Sequence, residues 1–529
     1  MAFIGWKVAS NLRNIVYWDE FDSVLAFLLR IEAGAAWPDI VQHLLCKHNE
    51  HITLVSRLLF AGSYWLTGTI NFQVIGIIGN LFLLALCVVL VVAAGSQQRR
   101  IRLGVVLAWM VFSLQHYESL FWAGASIDHF QVHLWAALAL ISLGWKNRVG
   151  FLLAMLCAQL AVFTLAHGVM VFPIGLLLLL FTRRWREALL WTAWGVLIVS
   201  FFLKDFHSLA HHGTQATLTQ MLLYWLRLLG ASPAVGNYGL ALWLGVVVML
   251  WVLWLIRDGT WRREAWAVSL ALYMIGAAAL VSVGRANLSG GLIAPRYHVI
   301  SALLWSLALF LALERWSDPR RPWRLLLCCL PLFLVFNVRA NWRYYGKGAQ
   351  FARNLEFAAM RFKRFGTMRQ YPFLLHPNPD RADRLLRLAM ERRIYRLPTI
   401  CRQVRIRDLQ ETQRIACGID QIEVNERSAH VRAWAMLPNT TINRKRLFVV
   451  LRRNNHPILA FSAVSEERPD RSVGTARATG LRFTVTRDRL PSGTYTIGFA
   501  VGNEAKAYYM MTPQKMVLPV KGGDASPKI

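Results

Sequence analysis

FQVIGIIGNLFLLALCVVLVVAA (72–94) decides how the rest of this chain is read. It carries no charged residue, and as a helix it is long enough to cross the roughly 30 Å hydrocarbon core of a bilayer. Nine more apolar runs of roughly membrane-spanning length lie near 103–114, 131–144, 149–165, 168–181, 187–203, 237–256, 265–283, 297–314 and 323–338. Several are short, so their ends are placed only to within a few residues. Composition agrees: 56% of the 529 residues are hydrophobic, too many for one soluble domain. The 22 tryptophans suit a protein with two membrane interfaces, where indole rings concentrate. Residues 1–17 hold Lys7 and Arg13 in a weakly apolar stretch. They show no cleavable signal pattern and read as a weak or truncated first span.

The links between the runs alternate in charge. SQQRRIR, WKNR, TRRWRE, RDGTWRRE and ERWSDPRRPWR together hold 15 Lys and Arg. The alternate links are QHYESLFWAGASIDHFQ, the AHG turn at 166–168, the 204–236 loop and GRANLSGGLIAPR, which together hold 4. Positive residues stay on the cytoplasmic side, so the first set is inside. Residues 18–71 and everything after about 339 are then outside. Most of the net charge of +30 belongs to the tail, which contains 35 of the 59 Lys and Arg. A basic surplus divided between an external tail and cytoplasmic loop ends excludes nucleic acid as a partner.

The tail has two parts. In 339–414, FARNLEFAAMRFKRF (351–365) sets Phe351, Leu355, Ala358, Phe362 and Phe365 on one helical face. DRADRLLRLAMERRIYRLP (380–398) reads as a second helix ended by Pro398. This basic amphipathic connector suits membrane lipids with anionic headgroups. From 415 to 529 the pattern turns to strands, in AHVRAWAML, RLFVVLRR, LRFTVTRD and YTIGFAVG, separated by turn residues. At least four or five short strands imply a compact antiparallel sandwich that binds or positions and does no chemistry. Seven cysteines make no metal-ligand spacing; Cys401 and Cys417, together in the tail, either pair in an oxidising compartment or remain free thiols.

Polar chemistry gathers in the external links. The first loop opens on WDEFD (Asp19, Glu20, Asp22) and continues to CKHNEHITLVSRLL (46–59), with His48, Asn49, Glu50, His51 and Arg57. Between and after them VLAFLLRIEAG, WPDIVQHLL and ITLVSRLLFAGSYWLTG read as amphipathic or re-entrant helices at the interface. Acids at a helix start are favoured by the helix dipole alone, which is the plain reading of WDEFD. HNEH lacks the HExxH spacing, so a metal site is its weaker reading beside a hydrogen-bonded turn or a ligand-binding role. QHYES supplies His116 and Glu118, and the last external link supplies Arg285, Arg296 and Tyr297. The two arginines either snorkel to lipid phosphate or clamp a phosphate leaving group. A carboxylate to accept a hydroxyl proton, cations for a departing phosphate and an apolar body for a lipid chain suit sugar transfer from a lipid-linked donor.

On these residues the chain resembles the GT-C class of polytopic glycosyltransferases, bacterial members that use polyprenyl-phosphate sugars. The resemblance is architectural over 1–340. WDE (18–20) is similar to the acidic pair opening the first external loop of protein mannosyltransferase-like members. By that match Asp19 is the candidate base, with Glu20 and Asp22 as alternatives. HNEHITLVSRLL resembles an HNEHR-type segment of other bacterial members, with Ile52 where those carry arginine. Arg57 or the loop arginines would take over any phosphate contact. RY (296–297) resembles a motif at an outer helix end, and RPD (468–470) and LPSGTY (490–495) are similar to β-sandwich modules of bacterial glycan enzymes.

The expected architecture is therefore an α-helical polytopic membrane protein of about 10–11 spans (1–338), GT-C-like, with a periplasmic first loop at 18–71 and a periplasmic all-β sandwich. The expected activity is inner-membrane transfer of a sugar from a polyprenyl-phosphate donor to a glycan, lipid or pilin acceptor. Asp19, Glu20, Asp22 and Glu50 are the catalytic candidates; His48, Asn49, His51, Arg57, His116, Glu118, Arg285, Arg296 and Tyr297 are the donor- or acceptor-binding candidates. The sequence specifies no cofactor, though a divalent cation, Mg or Mn, fits a phosphate leaving group. Two other readings compete: an O-antigen polymerase or ligase acting on a lipid-diphosphate glycan, and a flippase or transporter. The last calls for ionisable residues within the spans, and the ten runs hold almost no acids.

Overall fold

The computed structural model describes residues 1–204, 216–287, 291–315, 320–368, 375–398, 403–404, 406–424, 428–436, 446–453, 456, 458–473, 476–486, 490–502 and 506–519. The chain forms two compact units. The first is Met1–Ala352 with Arg384–Arg396, and the second is Arg353–Asp383 with Leu397–Ile529. Most of the 204–236 loop's first half, part of the 284–296 link and Cys401, with its expected pairing, lie outside the described residues.

Six helices are long and apolar enough to cross a membrane: Phe72–Ala93, Trp185–Leu203, Tyr238–Arg257, Ala265–Arg285, Pro295–Glu314 and Arg321–Lys363. The other four apolar runs are helical too. Arg148–Val162 and Ala166–Phe181 are shorter apolar helices. Gln97–Met110 has 14 residues, and Ala123–Leu143 has 21 but carries the polar sequence ASIDHFQVH in its first half. The helix at Ala2–Asn11 has only 10 residues, a rise of about 15 Å.

The Phe72–Ala93 helix shows why a bilayer is the fitting solvent. Val74, Ile77, Leu81, Leu84, Val88 and Val92 form an exposed apolar stripe, a surface that water would not tolerate along a whole helix. The opposite side, with Ile75, Leu83, Leu86 and Leu90, is buried. Gly79 is required there, because a Cβ would fall on the Ser126 side chain of the Ala123–Leu143 helix. Small residues at such crossings let helix backbones approach. This crossing fixes the start of Ala123–Leu143, which lies beside the polar mouth described below.

Charged residues separate to the two ends of the first unit. Arg99 meets Glu264 and Glu314, and Arg102 is bidentate to Glu314 at 2.8 and 3.0 Å. Glu264 and Arg285 bracket a 21-residue helix, so these two ends stand about 30 Å apart. The first loop supplies a π-helical turn at Phe21–Leu25, then helices Ala26–Glu32, Trp37–Leu45 and Leu54–Thr67. Trp37–Leu45 buries no residue, and Trp37 and Val41 are exposed on it.

The 380–398 segment departs from its expected form. Its helix, Pro379–Glu391, ends seven residues before Pro398. Arg393 takes a φ of 60°, and the chain then runs extended beside Ile70, whose N–H donates to the Ile394 carbonyl at 2.7 Å. Tyr395 is fully buried; its hydroxyl donates to the Asn14 carbonyl at 2.8 Å and its ring lies edge-on to Phe72 at 5.5 Å. Pairing within the first unit stops this helix before proline can.

The second unit is β-rich. Its strands are β1 (Gln403–Val404), β2 (Asp408–Glu411), β3 (Ala416–Val424), β4 (Ser428–Met436), β5 (Arg446–Arg452), β6 (Leu459–Ser462), β7 (Val464–Val473), β8 (Ala476–Thr486), β9 (Gly493–Gly502) and β10 (Lys506–Leu518). One sheet has the order β1-β6-β5-β9-β10-β2 and the other β3-β4-β8-β7. All described pairings are antiparallel except β2 with β10. The four strand-like sequences fall on β4, β5, β8 and β9. Ala429, Val431, Ala433 and Phe483 of one sheet share an apolar cluster with Val449, Phe461, Ile497 and Phe499 of the other. Met360, from the helix that enters this unit, joins the same cluster.

Candidate functional site

HNEH closes as a two-residue hairpin. His48 and His51 exchange both backbone hydrogen bonds, at 2.7 and 3.0 Å. Asn49 at the turn takes a φ of 52°, a left-handed conformation that asparagine tolerates better than most residues. Arg57 holds this hairpin. Its buried Nη1 donates to the carbonyls of His43 (2.9 Å), Leu44 (3.2 Å), Cys46 (2.6 Å) and Ile52 (3.0 Å), on both shoulders of the turn. Those contacts make Arg57 a clamp on the loop.

On one side the hairpin meets WDEFD. Asp19 Oδ1 lies 3.2 Å from His48 Nε2 and 3.4 Å from Asn49 Nδ2. The Asp19 side chain is 50% exposed, so a solvent-borne group can reach it. Burial works hardest to raise its carboxyl, but the hydrogen bond from His48, together with the electrostatic pull of His48 and Arg296, outweighs it and holds Asp19 below the usual carboxylate range. Trp18, just before it, has a φ of 47°, and Thr53, after the hairpin, 49°. With the π-helical turn that begins at Phe21, strained backbone is concentrated around this contact, as it is at many functional sites.

On the other side Glu50 is ion-paired with Arg285. Arg285 Nε also donates to Tyr297 Oη at 3.0 Å. Arg296 pairs with Glu118 at 2.9 Å, and its guanidinium lies 5.1 Å from the Tyr297 ring and 6.0 Å from that of Trp122. Tyr297 thus ties the two arginines together. A guanidinium has five N–H donors, so pairing with one carboxylate leaves capacity for a second anion. His51 accepts the Ala166 N–H at Nδ1, 3.1 Å away. Burial, and then Arg285, push its pKa down to about 3. The ring is therefore neutral at pH 7 with its proton on Nε2, which faces Glu50 Oε1 at 3.6 Å.

Three candidates stand apart from this mouth. Glu20 accepts the N–H of Tyr17 at 2.8 Å and of Gly124 at 2.7 Å, which staples the first loop to the start of the Ala123–Leu143 helix. Burial pushes its carboxyl up to about 8. Asp22 is half-buried on the π-helical turn. His116 is fully buried edge-on to Phe130 at 6.1 Å, and burial pushes its pKa down to about 3.

Several neighbours escaped the sequence reading. Asp128 accepts from Ser56 and so joins the Ala123–Leu143 helix to the helix that carries Arg57. His129 lies edge-on to Tyr297 at 5.3 Å, and His133 is 5.5 Å from His167 and 5.9 Å from Tyr273. Part of the signal was present: His129 and His133 share a helical face at i, i+4. Among the described residues, no group of three or more His, Cys, Asp or Glu side chains is arranged to hold a metal ion. No known family, curated protein or solved structure matches this chain.

Proposed function

We propose that this protein is a membrane glycosyltransferase of the GT-C kind. It takes a sugar from a polyprenyl-phosphate donor and passes it to a hydroxyl of a glycan, lipid or pilin acceptor at the periplasmic face of a bacterial inner membrane. One observation carries the reading: a single hairpin holds a half-exposed carboxylate, Asp19, on one side and meets a tethered arginine pair, Arg285 and Arg296, on the other.

In this reading Asp19 accepts the acceptor's hydroxyl proton, and His48 and Asn49 aim it. The acceptor oxygen bonds to the anomeric carbon as the bond from that carbon to the phosphate oxygen breaks. The polyprenyl phosphate leaves with the electron pair, and Arg285 and Arg296 stabilise the added negative charge. The exposed apolar helix faces accommodate the polyprenyl chain. The β unit, read as a two-layer sandwich, positions the acceptor. The charge bias of the links supports the external placement of the mouth.

The purified full chain in lipid vesicles, supplied with polyprenyl-monophosphate sugars and a membrane-glycan acceptor, tests this. Transfer that falls at least a hundredfold in Asp19→Asn is the expected outcome. Full transfer by both Asp19→Asn and Glu50→Gln would overturn the reading. Turnover of a lipid-diphosphate glycan alone would favour a polymerase or ligase. Movement of such a glycan across the bilayer without new glycosidic bonds would favour a flippase.

A further inference from the structure

Below the mouth a set of neutral polar side chains runs into the helical unit. His129, next to Tyr297, is followed one turn deeper on the same helix by His133, which contacts His167 and Tyr273. His167 follows Ala166, whose N–H binds His51, so the column starts at the hairpin. All four are buried: His129 at 7% exposure, His133 at 0%, His167 at 4% and Tyr273 at 0%. His129 Nδ1, both His133 ring nitrogens, His167 Nε2 and Tyr273 Oη have no hydrogen-bond partner, and neither has the nearby Tyr224 Oη.

Such a cluster is costly in a unit bathed by lipid, because each orphaned polar atom forfeits its solvation. Ionisable side chains inside a membrane body mark a ligand or ion path by default. The chemistry of the set narrows the ligand. Imidazoles and phenols each offer a donor and an acceptor, as a sugar hydroxyl does. A phosphate would call for cations, which lie above at Arg285 and Arg296. A metal would call for a ligand cluster that is absent among the described residues.

We infer that His129, His133, His167 and Tyr273 form a subsite for the hydroxyls of the donor's sugar ring, beneath the arginines that take its phosphate. This rests on the glycosyltransferase reading. The subsite separates two tasks: the arginines hold the anionic group common to every donor, and the neutral column selects among sugars.

The test measures binding of three probes to the full chain in nanodiscs: short-chain polyprenyl-phosphate glucose, polyprenyl-phosphate arabinose and bare polyprenyl phosphate. Tyr273→Phe removes only a hydroxyl, and His133→Leu removes both orphaned nitrogens. Each is expected to weaken the preferred glycosylated probe about two- to tenfold, the loss of one neutral hydrogen bond, with bare polyprenyl phosphate unchanged. Arg285→Ala should weaken all three. Equal weakening of bare and glycosylated lipid, or no change in either, would overturn the subsite and leave a column that packs or orders water. If wild type transfers sugar while both variants keep the wild-type probe ratios, only the subsite falls. If wild type neither transfers sugar nor distinguishes glycosylated from bare lipid, the glycosyltransferase reading falls with it.

Discussion

Asp19 Oδ1 lies 3.2 Å from His48 Nε2, which joins the acidic opening of the first loop to the histidine hairpin at its centre. The contact also helps to hold the candidate base below the usual carboxylate range. Asp19 meets the hairpin, whereas Glu20 is bonded to two backbone N–H groups.

The first prediction concerns pH. Asp19 is held below the usual carboxylate range chiefly by the His48 hydrogen bond working against burial. A lowered acid stays ionised as pH falls, so the acid limb of kcat/KM should lie below that of an ordinary aspartate. His48→Gln weakens that restraint and should move the acid limb to higher pH, with a smaller loss of rate than Asp19→Asn. A pH–rate profile of both variants decides it: an unmoved limb in His48→Gln would mean that another group titrates.

The second concerns the arginine pair. Arg285 is held by Glu50 and by Tyr297 Oη, a planar fork that lysine cannot reproduce. Arg285→Lys should therefore weaken polyprenyl phosphate by about 1.5–3 kcal/mol, the worth of a charge-assisted hydrogen bond. Tyr297→Phe should cost less and should be non-additive with Arg285→Lys, because the two share one contact. Titration with bare polyprenyl phosphate across the four-variant cycle gives both numbers.

Much of this arrangement was legible in sequence, for reasons that particular residues show. WDEFD, HNEH, Glu118, Arg285 and Arg296 were placed on one side by loop charge alone, and Asp19, His48, Glu50, Glu118 and both arginines do meet at one end. Strands β4, β5, β8 and β9 were visible because alternation is a local signal. The parallel pairing of β2 with β10 was not, since it joins residues far apart in the chain. Nor was the full Ala123–Leu143 helix: its polar first turns carry Asp128 and His129 inward, where a hydropathy scan sees only a loop. Arg57 looked like a phosphate ligand because periodicity cannot show that backbone carbonyls surround it.

The third prediction follows from that clamp. Arg57→Met keeps the length of the side chain and removes the guanidinium bonds to the carbonyls of His43, Leu44, Cys46 and Ile52. Leaving these carbonyls under-bonded should cost about 1–3 kcal/mol and release the hairpin. The melting temperature should fall, and protease cleavage within 43–52 should speed up more than cleavage elsewhere. Unchanged cleavage in that loop would show that the hairpin is held by other contacts.

The fourth prediction is the pH dependence of stability set by Glu20. Burial raises its carboxyl to about 8 from the ordinary value of 4.5. An acid with a raised folded pKa binds its proton more tightly in the native state than in the unfolded one. Its contribution is therefore fully present below about 4.5 and lost as pH rises through about 8. Wild type should melt progressively lower between pH 5 and pH 9, and Glu20→Gln, which cannot ionise, should show a flatter dependence. The amide also brings an N–H, which cannot accept, towards a backbone N–H that now donates to a carboxyl oxygen, so Glu20→Gln should be less stable than wild type at pH 5. The two melting curves plotted against pH should then converge towards high pH. Parallel curves would show that Glu20 keeps one protonation state throughout, with its two backbone hydrogen bonds prevailing over burial.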